Sequence, residues 1–124
     1  MKRIRPDRKE YHKTRYKNWR QKASLEEIMF RAIRDRATRA KIQFLITVED
    51  IKIPEYCPIF TWIKLEKWEE GKDINNSPSV DRINPLKPYT KDNIQIISYK
   101  ANRIKNNASF KELILLGRWA ESNI

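Results

Sequence analysis

Asp81 and Asn102 offer hard oxygen donors on two segments patterned as a strand and a helix. A hard divalent cation such as Mg2+ takes oxygen ligands, and one or two from the protein often suffice. Such an ion neutralises charge developing on a phosphate and on a leaving oxygen, so this pair suits phosphodiester chemistry. Asp81 follows Val80 and precedes Ile83 by two positions, which sets it near an apolar layer. A charge in such a place is paired or metal-bound. Spacing alone leaves both open: a metal ligand, or a structural salt bridge from Asp81 to an arginine. Other chemistries have less to work with. A single cysteine, Cys57, and a single histidine, His12, exclude a Cys/His zinc cage. A Ser-His or Cys-His hydrolase would have to use His12, which stands in a basic segment.

The elements that must position this pair are legible around it. Ser79–Asn84 alternates apolar and polar residues, as a strand does. Pro85 and Pro88 end it. Asn93–Ser98 is a second β-rich run, and Tyr99–Asn106 has helical composition with no breaker. The expected order over 79–107 is strand, proline-bearing loop, strand, helix. Ser109-Phe-Lys-Glu112 is a capping box that opens a last helix, with Leu113, Leu116 and Trp119 or Ala120 inward. Upstream, Ser24-Leu-Glu-Glu27 is another capping box, and it opens a helix from Leu25 to about Lys41. Ile28, Ile33, Ala37 and Ala40 form its apolar stripe, with Arg31, Arg34, Arg36 and Arg39 on other faces. Phe44–Ile46 reads as a short buried segment, and Thr47–Asp50 as a capped single turn. Residues 55–63 read as a packed, irregular connection and 64–77 as a polar surface loop.

Charge is distributed unevenly. The chain of 124 residues carries a formal +11. Residues 1–48 hold fifteen basic and five acidic side chains, residues 49–124 twelve and eleven. A positive field this concentrated attracts polyanions and releases counterions from a phosphate backbone. Nucleic acid is therefore the expected partner, ahead of a membrane surface or an acidic protein. Tyr11, Tyr16 and Trp19 lie among the cations of 1–22, where they can stack on bases or pack on the domain. That segment is either a helix from about Asp7 or a tail ordered only on DNA. The lone thiol fits a reducing compartment. No apolar run approaches the ~20 residues needed to cross a bilayer, and Met1–Arg5 has no apolar stretch behind it. A soluble, cytoplasmic protein with no membrane partner is expected.

Ser79-Val-Asp-Arg-Ile-Asn-Pro85, then Asp92-Asn-Ile-Gln-Ile96, then Ala101-Asn-Arg-Ile-Lys105 resemble the HNH endonuclease signature. Asn93 and Asn102 stand nine residues apart, as the middle Asn and helix ligand do in that family. Short phage HNH proteins are closer still. They share the capped basic helix, a segment like Ile46–Ile51, one like Pro54–Pro58, and an Asp-Arg pair in place of Asp-His. The likeness covers about residues 24–116. It implies an α+β fold: a ββα-metal finger at about 79–107, flanked by a basic N-terminal helix and a C-terminal helix. Residues 1–22 would be a basic tail or helix and 23–124 one nuclease domain.

The resemblance also implies roles. Asp81 and Asn102 would hold one Mg2+ or Mn2+, with Asn106 a further ligand in some members. Asn93 would hydrogen-bond the backbone of the first strand and set its angle; turn chemistry for Asn93 and a helix C-cap for Asn106 are the plainer alternatives. Arg82, Arg103 and Lys105 would meet phosphates, with Arg15, Arg20, Arg31, Arg34 and Lys100 as further nucleic-acid contacts. Two departures stand out. Arg82 replaces the histidine that serves as general base, and a guanidinium cannot accept a proton. It can clamp a phosphate, which leaves water activation to the metal, a substrate phosphate, Tyr99 or His12. Cys57 lacks the partners of a zinc knuckle, since Phe60, Ser98 and Ala101 stand at the other positions. Packing of Cys57, Phe60, Ala101 and Ile104 would replace the ion, so no structural zinc is expected. A metal-dependent DNA endonuclease, monomeric or weakly dimeric, is the leading expectation. A non-catalytic nucleic-acid binder that reuses the finger comes second, and a virion or ribosome-associated protein third.

Overall fold

The computed structural model describes residues 7–124. The first six residues, part of the expected basic segment, lie outside the described residues. The remainder is mixed α+β, with four helices and a two-stranded antiparallel sheet among the described residues.

Helix α1 (Arg8–Lys22) contains neither proline nor glycine and buries no residue. It ends at Ala23, whose amide donates to the Trp19 carbonyl at 2.8 Å. Helix α2 (Leu25–Ala40) starts where Ser24 Oγ accepts the Glu27 amide at 3.2 Å, the serine half of the expected box. The stripe it buries is Ile28, Met29, Ile33 and Ala37. Met29 replaces the expected Ala40, which is exposed, because four turns at 3.6 residues each drift off a straight line. Lys41, in the left-handed region at φ 56°, terminates the helix.

Strand β1 (Pro78–Arg82) pairs antiparallel with β2 (Ile94–Ser98), in a register that sets Val80 against Ile96 and Asp81 against Gln95. The first strand stops two residues short of the expected Asn84, where the chain turns into the proline-bearing loop. Helix α3 (Tyr99–Lys105) follows β2 without a linker, as Ser98 Oγ accepts the Ala101 amide at 3.1 Å. Asn106, at φ 44°, closes it.

The core lies between α2, the sheet and α3. It joins Met29, Ile33 and Ala37 to Ile51, Cys57, Ile63, Leu65, Val80, Tyr89, Ile96, Ile97 and Ala101. Two expectations fail here. Of Phe44–Ile46 only Ile46 is buried; Tyr89 backbone pairs with Gln43 and Leu45 instead, so this stretch is a sheet-like edge contact with Leu45 outward. The last helix, α4 (Phe110–Glu121), has its full Ser109/Glu112 capping box but buries no side chain. Its hydrogen bond to the Ser109 amide and hydroxyl holds the Glu112 carboxyl below its ordinary range. Leu113 is half-buried, while Leu116 and Trp119, expected inward, are 55% and 64% exposed.

Cys57 sits in the core. Its Sγ accepts the amides of Phe60 and Ser98, each at 3.4 Å. Burial pushes the thiol up, yet hydrogen bonds from Ser98, Phe60 and Ile59 outweigh it and leave the thiol below its ordinary value. Ala101 joins this packing and Phe60 leans on it. Ile104, expected there too, is half-exposed on the outer face of α3. No helix among the described residues is long and apolar enough to cross a membrane.

Candidate functional site

Asp81 is the fourth residue of β1, and alternation turns it from the Val80 side to the α3 side of the sheet. It is 5% exposed. Lys105, at the end of α3, reaches it with Nζ 3.0 Å from Oδ2 and 3.1 Å from Oδ1. The same ammonium donates to the Arg82 carbonyl at 3.0 Å. Gln95, opposite Asp81 in the register, donates Nε2 to Oδ2 at 2.9 Å. The carboxylate is therefore neutralised and hydrogen-bonded on both oxygens. Lys105, expected at a phosphate, is 4% exposed and turned inward. The ion pair that spacing left open is present, with a lysine as the partner instead of an arginine.

Arg82 points the other way along the strand. Its Nη1 donates to the Lys87 carbonyl at 3.1 Å, and the guanidinium lies 5.1 Å from the centre of the Tyr89 ring. A cation over an aromatic face is held electrostatically, so this arginine is aimed before any ligand arrives. Asn102 Nδ2 donates to Ser79 Oγ at 2.7 Å, which leaves the amide oxygen as the free donor atom. Arg103 lies over Tyr99 at 5.8 Å.

Asp81, Arg82, Asn102, Arg103 and Asn106 line one cleft of about 480 Å3, together with Arg36 and Tyr99. Strand β1 and helix α3 bring them together. Gln95 and Ser79 were not singled out in sequence, and Arg36 was read only as one of the α2 arginines, with no place at this cleft. Gln95 becomes visible only once the strand register is known, and Arg36 only once α2 is laid beside β1.

Asn93 is buried just before β2. Its Oδ1 accepts the Asn84 amide at 2.9 Å, and its Nδ2 donates to the carbonyls of Asn84 at 3.1 Å and Pro88 at 2.9 Å. One side chain thus clamps the loop that leaves β1. Asn93→Ala is expected to lower folding stability by about 1–3 kcal/mol, because it strands buried backbone groups. Urea unfolding measures this, and faster hydrogen exchange at the Asn84 amide locates it. A change within error would show that water replaces the clamp.

The other cations expected at nucleic acid lie outside the cleft. Arg31 of α2 stacks on α1, with its guanidinium 4.7 Å from the Trp19 ring centre and 5.3 Å from that of Tyr16. With His12 and Arg15 these residues line a separate hollow, so His12 is not positioned to serve the Asp81 cleft. Arg34 lies over Phe30. Arg20 is held through its carbonyl by Lys67 Nζ at 3.3 Å. Lys100 lines a third hollow, beside Trp62 and Lys64. Among the described residues no group of three or more His, Cys, Asp or Glu side chains is arranged to hold a metal ion. Comparison with family models, curated proteins and solved structures finds no match to this chain.

Proposed function

We propose that the cleft between β1 and α3 is the centre of a metal-dependent DNA endonuclease of the HNH, ββα-metal kind, acting on double-stranded DNA in the cytoplasm. One observation carries this reading: strand and helix bring Asp81, Arg82, Asn102 and Arg103 to a single cleft, in the order the signature requires. Asp81 and Asn102 fit a hard divalent cation in donor type, since both present oxygen and such ions need few protein ligands. The fit is conditional, because Lys105 now holds both carboxylate oxygens. For Asp81 to serve as a ligand, Lys105 must swing away from it. A bound Mg2+ or Mn2+ would supply charge neutralisation at the phosphate and an acidified water.

The chain's own residues do the rest. Arg82 and Arg103 clamp phosphate oxygens, Arg82 held ready by Tyr89. Asn93 fixes the loop beyond Arg82. The guanidinium at the histidine position cannot take a proton, so Arg82 acts as clamp and not as base. A second reading, a DNA-binding protein that does not cut, is favoured by that arginine and by the closed Asp81–Lys105 pair.

Supercoiled plasmid incubated with the protein and Mn2+ or Mg2+ decides between them. The expected result is open-circle or linear DNA, lost with EDTA and lost with Asp81→Ala. Intact plasmid that still shifts on a low-salt gel would establish binding without cutting.

A further inference from the structure

Residues 62–66 alternate in burial. Ile63 and Leu65 point into the core, so Trp62, Lys64 and Glu66 turn outward. The segment is pinned from within, since the Cys57 amide donates to the Ile63 carbonyl and the Leu65 amide to the Glu55 carbonyl, each at 2.9 Å. Trp62 is 72% exposed, with the Phe60 ring 5.2 Å away and tilted by 31°. A large flat ring is thus held out in solvent by an anchored loop. Trp62, Lys64, Glu66, Asn75, Asn76 and Lys100 line one hollow of about 380 Å3. We infer that this hollow binds an unpaired nucleotide of a single-stranded nucleic acid, its base stacked on Trp62 and its phosphates held by Lys64 and Lys100.

The chemistry of the hollow selects the occupant. An exposed indole face stacks on any base, and neighbouring ammoniums track the strand's backbone. Lys64 and Lys100 are balanced by Glu66 and Asp73, so the hollow has no excess charge with which to draw a polyanion by its field alone. Recognition therefore rests on the ring, and an acidic peptide brings no flat face to it. A duplex does not either, because its bases are stacked and paired until one is turned out. The occupant that fits is a base without a partner.

Asn75 is the independent observation. Its Oδ1 is buried with no hydrogen-bond partner among the described residues, and native proteins rarely leave a buried polar atom so. Nothing holds that oxygen, so the side chain can turn to accept an N–H from a base edge, with the Glu66 carboxylate and the Asn76 amide in the same hollow. Asp73 is already committed, accepting the Asn75 backbone amide at 2.9 Å. Helix α3 lines both sites: Tyr99, Asn102 and Arg103 border the cleft and Lys100 the hollow. The inference goes beyond the endonuclease reading, because a strand held here needs neither a metal ion nor a broken bond.

Fluorescence anisotropy with a short labelled oligothymidylate, in EDTA so that nothing is cut, reads the hollow without the cleft's chemistry. Trp62→Ala is expected to weaken this strand roughly 10-fold, the scale of one lost base stack. A short duplex and an abasic strand of equal length should bind the variant as they bind wild type. Trp62→Phe should keep most of the affinity, since a smaller ring still stacks. Lys64→Ala with Lys100→Ala should reduce the single-strand salt slope by roughly 1.4, at ~0.7 per phosphate contact. Urea unfolding of Trp62→Ala should stay close to wild type, because the ring is mostly exposed. Wild-type affinity of Trp62→Ala for the oligothymidylate overturns the inference. So does a loss shared equally by the duplex and the abasic strand, which would make Trp62 a general docking residue and not a base platform.

Discussion

Lys105→Met is expected to destabilise the fold by about 3–5 kcal/mol, because it leaves Asp81 as a buried charge without a counter-ion. The size follows from the surroundings. Asp81 is 5% exposed and Lys105 4%, so little solvent reaches the carboxylate. Gln95 alone remains to hydrogen-bond Oδ2. The effect should depend on Asp81. In an Asp81→Asn background the same lysine change should be much milder, since no unpaired carboxylate remains. A double-mutant cycle in urea therefore gives a large coupling between the two sites. Additive losses would show that Lys105 matters through packing against Phe110, 5.9 Å away, and not through Asp81. The same variant probes the cation reading. With the ammonium gone, Mn2+ should raise the unfolding midpoint of Lys105→Met more than that of wild type, by the linkage of binding to folding. No such rise would remove Asp81 as a ligand and leave the pair structural.

If the chain binds DNA as proposed, removing charge from α1 is expected to flatten the salt dependence of that binding. The helix carries seven basic residues and one acidic, and buries none of them. Changing Lys13, Arg15, Lys17 and Arg20 to Ala should reduce the slope of log K against log salt by roughly 3–4, at ~0.9 per phosphate contact. Extrapolated from ~1 M salt, where this contribution vanishes, that is about a 10³-fold loss of affinity near ~0.1 M. Folding should change little, since α1 is anchored mainly by Trp19 and Tyr16 against Arg31 and by the Arg20 carbonyl. Fluorescence anisotropy on one duplex over a salt series measures it. An unchanged slope would place the DNA away from α1 and reassign its charge to solvation.

Much of the secondary structure was legible because its signals are local. Ser24 and Ser109 announce the starts of α2 and α4, as each hydroxyl meets an amide three residues on. Alternation in 79–82 and the β-rich run 94–98 mark a strand pair, and Ser98 caps the helix that follows. Errors came where a residue's environment is set from outside its own segment. Leu45 and Ile104 satisfy apolar patterns, yet no other element arrives to cover them. Leu116 and Trp119 fit an inward stripe on α4, but that helix meets no face of the domain that would bury them.

For the candidate site the division is similar. The sequence by itself determined the residue types, the strand–strand–helix order and the concentration of positive charge near the N-terminus, because composition and period are properties of neighbours along the chain. It also determined that Arg82 cannot act as a base, since that is fixed by the chemistry of the guanidinium. Only the tertiary structure decided which cation neutralises Asp81. Lys105 lies 24 residues further on, and it turns inward because α3 crosses the sheet where the Asp81 carboxylate would otherwise be buried alone. Gln95 joins them through the strand register, and Arg36 through the packing of α2 beside β1. A buried charge takes whichever opposite charge the packing brings within reach, and periodicity along one segment carries no record of that distance.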